Sequence, residues 1–187
     1  PHPPPGAPVP VLKGVFDIAI LIAYYSRAGE NYFGGSYRRI PVGNTRRVAE
    51  QLASLSGGDL LELRQAHPYS DDYRICVAQA RADWQQSVRP ELLGLPKDLS
   101  GYDRIYLGYP NYCGTMPMAV YTFLEHYDFT GKLICPFCTH EGSGLSQTER
   151  DIRKAAPMSP RRPKSPPPTQ NKRAETARSP LSCFKYV

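Results

Sequence analysis

The stretch FDIAILIAYYSRAGENYFGGSYRRIPVGNT, residues 16–45, decides how the rest of the chain is read. Ile18 to Ala23 is an unbroken apolar run of strand length, followed by Tyr24, Tyr25 and Ser26. Such a run marks a strand covered on both faces, as a parallel α/β sheet demands. Ile18 to Tyr25 is therefore expected to be the central strand. After a long excursion come Gly43, Asn44 and Thr45. Thr45 can cap a helix whose apolar positions Val48, Leu52 and Leu55 recur at helical spacing, and Gly43 and Asn44 tolerate the backbone angles of a tight approach. Strand, loop and helix N-terminus make a ready anion site. Arg46 and Arg47 fall in the first turn, where cations oppose the helix dipole unless an anion lies nearby. Taken alone they read as solvated surface charges, and only further ligands give them meaning.

Working outward, Gly57 and Gly58 stop this helix and Asp59 to Arg64 form a second strand. Ser70 is expected to cap a second helix, with Asp71 and Asp72 in its first turn. Tyr73, Cys76, Val77, Ala80 and Trp84 form its core stripe, and Pro90 closes it. Leu92 to Gly101 reads as a loop and Tyr102 to Tyr109 as a third strand. The segment Pro110 to Pro117 leads from it into a helix carrying Val120, Phe123, Leu124 and Tyr127 on one face. Lys132 to Cys138 is a fourth strand. Thr139 to Gly144 is a glycine-containing loop, and a Ser146 to Glu149 capping box starts a last helix to about Ala156. Strands alternating with helices imply a parallel sheet with right-handed crossovers, whose ligand crevice lies at the carboxyl ends of the strands. Three loops reach that edge. The first offers hydroxyl, amide and Arg donors, while the others offer backbone groups, Tyr112 and His140 around a flat space. A phosphate on one side and a planar ring on the other suit a mononucleotide such as FMN.

Composition sets the bounds. A chain of 187 residues, 41% hydrophobic and 11% aromatic, suits one soluble domain with a proper core. No apolar run approaches the roughly 18 residues of a membrane span. Residues 1–14 open with six prolines in ten positions and lack a basic start and apolar core, so a flexible leader is expected there and not a signal peptide. Residues 15–156 are expected to be the folded domain. The formal charge of +6 is uneven: sixteen Lys plus Arg balance sixteen Asp plus Glu over residues 11–156, whereas residues 157–187 carry seven against one. That tail has seven prolines and no interleaved aromatic pattern, so it is read as disordered and without nucleic-acid or membrane function. Cys76, Cys113, Cys135, Cys138 and Cys183 are an odd set without the density of a disulfide scaffold, which fits a reducing, cytoplasmic setting. Cys135 and Cys138, with Cys113 and His140, could be imagined as a zinc site or redox dithiol; against this, residues three apart on a strand point to opposite faces.

The residues Ile22-Ala23-Tyr24-Tyr25-Ser26-Arg27-Ala28-Gly29-Glu30-Asn31-Tyr32, the resumed Val42-Gly43-Asn44-Thr45, Gly108 to Pro117, Phe123 to Gly131 and Pro136 to Gly144 resemble, in order, one branch of the flavodoxin-like proteins. The resemblance spans about residues 18–156. It implies a three-layer α/β sandwich with a parallel sheet of order 2-1-3-4 and FMN as cofactor. By resemblance Ser26, Arg27, Ala28, Asn44 and Thr45 hold the FMN phosphate. Pro110, Asn111, Tyr112, Cys113 and Gly114 flank the isoalloxazine, and Thr139, His140, Glu141, Gly142, Ser143 and Gly144 close over it.

Two departures stand out. Relatives often carry a second aromatic where this chain has Cys113. The family's fifth strand and closing helix should also follow Ala156, where this chain turns to Pro, Arg, Ser and Lys; their loss would expose the fourth strand as an edge open to self-association. The chain has no G-x-G-x-x-G, no P-loop, and no G-x-S-x-G elbow around Ser143. With FMN the cofactor performs the redox chemistry, so no catalytic side chain is assigned. Two readings remain, an FMN protein of electron transfer or oxidoreduction, with an unspecified redox partner or small-molecule acceptor, and a non-enzymatic remnant acting through interactions.

Overall fold

The computed structural model describes residues 18–156 together with the two-residue strand Phe184–Lys185. Chain order is β1 (Ile20–Tyr24), β2 (Gly29–Phe33), β3 (Ser36–Ile40), α1 (Asn44–Ser56), β4 (Asp59–Glu62), β5 (Arg64–Gln65) and α2 (Tyr73–Gln85). It continues with β6 (Leu92–Leu93), β7 (Arg104–Pro110), α3 (Met118–His126), β8 (Leu133–Thr139), α4 (Thr148–Ala155) and β9 (Phe184–Lys185). The main sheet has the order β4-β1-β7-β8-β9. Its first four strands are parallel, with Leu21 opposite Asp59 on one side and Ile105 on the other, and Ile105 opposite Ile134. Counted as main-sheet strands, this is the expected 2-1-3-4 order.

The apolar run of β1 is buried on both faces because its side chains alternate between two clusters. Leu21 and Ala23 join Ile105, Leu107, Val120, Phe123, Leu124 and Ile152 on the side covered by α3 and α4. Ile22 and Tyr24 point the other way, against Ala49, Val48 and Leu52 of α1 and against Phe137. Ala49, fully buried at the centre of the α1 face, lets that helix sit close on the sheet. The expected stripe is shorter than its spacing suggested, for Leu55 in the last turn stands 87% exposed. Gly57 ends the helix in the left-handed region at φ 69°, its N–H returning to the Ala53 carbonyl at 2.8 Å.

Local chemistry moved other expected boundaries. The excursion after β1 is a hairpin, β2 pairing antiparallel with β3 across Gly34 and Gly35. Asp72, not Ser70, caps α2, its carboxylate accepting from Ile75 N at 3.0 Å. Ser70 Oγ instead accepts from Asp72 N. Trp84 leaves the core stripe and is 46% exposed. The expected loop from Leu92 begins as β6, which pairs with β5. The Ser146 capping box does not form: Gln147 precedes α4 and provides no side-chain cap. At the outer edge of β8, Leu133 and Ile134 pair antiparallel with Lys185 and Phe184. A short antiparallel strand thus stands where a parallel fifth strand was thought missing, and that part of the edge is covered. The rest of the tail, and the leader, lie outside the described residues. Cys135 is buried and disulfide-bonded, whereas Cys76, Cys113 and Cys138 are free thiols. Cys135 and Cys138 are therefore not one dithiol.

Candidate functional site

The site begins where β1 ends. Tyr25 N donates to the Gly108 carbonyl at 2.9 Å, which carries β1's pairing one residue past its end before the chain turns at Ser26. Gly43 is the N-cap of α1 and has no side chain to offer the first-turn N–H groups. Ser26 Oγ accepts from Arg46 N at 3.1 Å, so the loop after β1 and the helix start touch directly. Thr45, 2% exposed, does not cap the helix; its hydroxyl lies 2.8 Å from the Thr139 hydroxyl and ties α1 to the end of β8. Arg46 points along its own helix to Glu50 at 2.7 Å, an exposed pair of small energetic weight. It is thus a surface charge as far as the side chain goes, although its backbone N–H belongs to the site.

The two later loops are knitted to each other by Asn111. Its N–H donates to the Thr139 carbonyl at 2.9 Å, its Nδ2 to Gly144 O at 3.2 Å and Ser146 Oγ at 3.0 Å, and its Oδ1 accepts from Gly114 N at 3.1 Å. That network explains why Ser146 is unavailable to cap α4. Tyr112 turns inward: its ring lies edge-on to Tyr25 at 6.2 Å and 77°, and its hydroxyl is 3.9 Å from Cys76 Sγ. The following Cys113 is exposed and sits at φ 54° before Gly114. On the third loop, Gly142 N donates to His140 Nδ1 at 3.0 Å, and Glu141 Oε2 accepts from Gly34 N at the tip of the hairpin at 2.9 Å.

These elements enclose a crevice of about 200 Å³ at the carboxyl edge of the sheet. Arg27, Asn44 and Thr45 line it from the first loop and α1, Pro110, Asn111 and Tyr112 from the second loop, and Thr139, His140, Glu141 and Ser143 from the third. The remaining expected residues lie around it. Ser26 and Ala28 face an adjoining cavity of about 740 Å³ that shares Arg27 with the crevice, where Tyr25 donates to buried Gln65 at 3.1 Å. Cys113 faces a cavity of about 190 Å³ beside Cys76, and Gly144 one of about 400 Å³ along β8. Gly114 and Gly142 shape the turns at φ 81° and 96°. The guanidinium of Arg27 is held by three carbonyls, Glu30 O, Ser70 O and Asp71 O, the last two at 2.8 Å. It fastens the base of the hairpin to the entry of α2.

Four lining residues escaped the sequence reading: Asn31, Tyr32 and Phe33 of β2, and Tyr73 of α2. The available signal was Gly34-Gly35 between two segments carrying Tyr32, Phe33 and Tyr37, the mark of a two-residue hairpin turn.

Burial dominates the electrostatics behind the crevice. Desolvation raises Tyr112 well above the ordinary phenol value and also raises Tyr25, Tyr109 and Cys76; it pushes the Cys138 thiol up to about 12. All of these groups are therefore neutral in the folded protein at neutral pH. Their contribution to stability is complete below the unfolded values of 9.0 for Cys and 10.0 for Tyr, and is lost as pH rises towards the folded ones. Denaturant midpoints are accordingly expected to hold steady from pH 7 to 9 and fall above pH 10; a flat profile to pH 11 would contradict this assignment.

A family model described as Flavodoxin matches residues 20–164. The chain belongs to the flavodoxin family. A presumed flavoprotein from Bacteroides uniformis is 27% identical with a TM-score of 0.60, covering 73% of this chain and 81% of that one. A second, from Bacteroides eggerthii, has the same identity and TM-score over 73% of this chain and 79% of its own. A flavoprotein in complex with FMN from Lactobacillus acidophilus shares the fold at 21% identity and a TM-score of 0.59, covering 74% and 86%. Comparison with curated proteins returns no match. The flavodoxin-family sheet places the three loops at one edge. No helix among the described residues is long and apolar enough to cross a membrane.

Proposed function

We propose that this flavodoxin-family protein binds FMN in the crevice and serves electron transfer or oxidoreduction. The observation that carries the reading is the start of α1: an N-cap without a side chain, with the Ser26 hydroxyl already on Arg46 N and Asn44 and Thr45 lining the crevice. Helix N-termini of this kind bind phosphate through N–H groups and dipole together. The donor set fits the group, because hydroxyl and amide donors stand at one end and aromatic and backbone groups at the other. The neighbour seen in complex with FMN has the same fold, which supports the choice of flavin. FMN, once bound, supplies the redox chemistry. The chain's part is positional: Ser26 and the first turn of α1 hold the phosphate end, Thr45 and Thr139 fix α1 against β8, and Asn111 sets the spacing of the two ring-side loops. The neutral charge balance of residues 11–156 offers no single-sign field to steer a protein partner, which favours a small-molecule acceptor.

The test is optical and thermodynamic. The protein supplied with FMN is expected to be yellow, with quenched flavin emission. Replacing Ser26 by alanine should weaken FMN about tenfold, the effect of one charge-assisted hydrogen bond, and leave riboflavin, which has no phosphate, nearly unchanged. Equal losses for both flavins would place the phosphate elsewhere.

A further inference from the structure

Besides Tyr112 of the second loop, the crevice takes aromatic lining from the hairpin and α2: Tyr32, Phe33 and Tyr73. The Tyr112 ring is turned edge-on to Tyr25 and its part-buried hydroxyl lies 3.9 Å from Cys76 Sγ. Tyr32 differs. It comes from the middle of β2, lines the crevice and remains 38% exposed. Two further rings fix its plane: Tyr73 stacks on it at 6.1 Å and 27°, and Tyr37 meets it at 5.8 Å. Tyr37 also touches Tyr73 at 5.5 Å, which closes a three-ring cluster.

The hairpin that carries Tyr32 is fastened unequally. Its base is held by Arg27 on three carbonyls and by Glu30, whose carboxylate accepts from Tyr73 N at 3.1 Å. Its tip is held to the third loop by the Gly34 to Glu141 bond. The crevice beneath, about 200 Å³, is smaller than the roughly 300–1,000 Å³ of ordinary organic-ligand pockets. The tip is the end of the hairpin with least to break.

Resting on the FMN reading, we infer that the β2–β3 hairpin is the outer cover of the cofactor and that Tyr32 is the ring that stacks on the flavin. Tyr73 and Tyr37 hold Tyr32 in orientation, and Glu141 latches the tip once the hairpin is closed. The site thus obtains from a hairpin of the first loop the aromatic face that Cys113 cannot provide in the second.

FMN titrations with flavin emission as readout decide the matter. Tyr32→Ala is expected to weaken FMN about tenfold, a typical loss for one stacked ring, and to restore a large part of the quenched emission. Tyr32→Phe should behave as the unmodified protein, because the ring remains. Tyr37→Ala, which removes one of the two rings that orient Tyr32 but leaves the crevice ring in place, should weaken FMN less than Tyr32→Ala does. If Tyr32→Ala keeps both affinity and quenching, or if Tyr37→Ala weakens FMN as much as Tyr32→Ala does, the assignment of Tyr32 is overturned. If the unmodified protein takes up no FMN, the flavin reading falls together with it.

Discussion

Replacing Gly43 by alanine is expected to lower FMN affinity about a hundredfold while leaving the main sheet folded. A Cβ at this position would strike Ser26 Oγ and come within 2.5 Å of the Arg27 carbonyl oxygen and 2.8 Å of its carbon. Backbone cannot yield as a flexible side chain can, so the loop after β1 must lift from the start of α1. The Ser26 contact to Arg46 N is then lost together with the cradle at the first turn. Two charge-assisted hydrogen bonds to phosphate, each worth about 1.5–3 kcal/mol, are enough for that factor. Titration of FMN and riboflavin side by side separates this effect from general damage, because riboflavin depends little on the phosphate end. A Gly43→Ala protein with unchanged FMN affinity would mean that the loop and helix start do not bind phosphate.

The largest loss of stability is expected at Phe123. Its ring is fully buried beneath the sheet and meets Tyr127 and Phe129 edge-on at 5.4 and 5.7 Å. Truncation to alanine removes both aromatic contacts and leaves a cavity in the larger of the two core clusters. The expected cost is about 3–5 kcal/mol, which lowers the melting temperature by roughly 10 °C for a domain of this size. Calorimetry or thermal circular dichroism measures it. A shift of only one or two degrees would show that α3 is not the packing centre of this face.

What the sequence disclosed and what it withheld divide along physical lines. The run Ile20 to Tyr24 was legible because a strand covered by helices on both faces must be apolar at every position, and the structure covers it on both faces. Likewise Val120, Phe123 and Leu124 lie buried as their spacing predicts. Amphipathic stripes were less informative near helix ends, where Leu55 and Trp84 satisfy the period but meet solvent. Capping failed for a different reason. Ser70 and Ser146 are plausible caps by type, but each hydroxyl is engaged elsewhere, and Ser146 is captured by Asn111 from another loop. No local pattern reveals such a long-range competitor.

Gly43 shows the same limit within the site. Its importance was read from the unusual backbone angles glycine tolerates, yet it adopts φ −66° and ψ 148°, open to any residue. What it supplies is the absence of a Cβ where two segments meet. The hairpin was withheld because short strands stabilised by each other and by one helix do not show the apolar runs of a central sheet.

The hairpin's separateness carries one more consequence. β2 and β3 form a two-stranded sheet of their own and share no ladder with the strands that build the core. Its turn at Gly34 and Gly35 is open, with nothing within 4 Å of an added Cβ at either position. Apart from Glu30, which anchors the base, and Gly34 and Gly35, whose positive φ of 51° and 96° disfavours side chains, sequence between Gly29 and Ile40 can therefore be exchanged or extended in pairs without shifting the register of β1, β7 and β8. In engineering terms this segment is a replaceable cassette: a single scaffold could carry hairpins of different length and ring content, so that ligand choice could be re-selected while the fold is left alone.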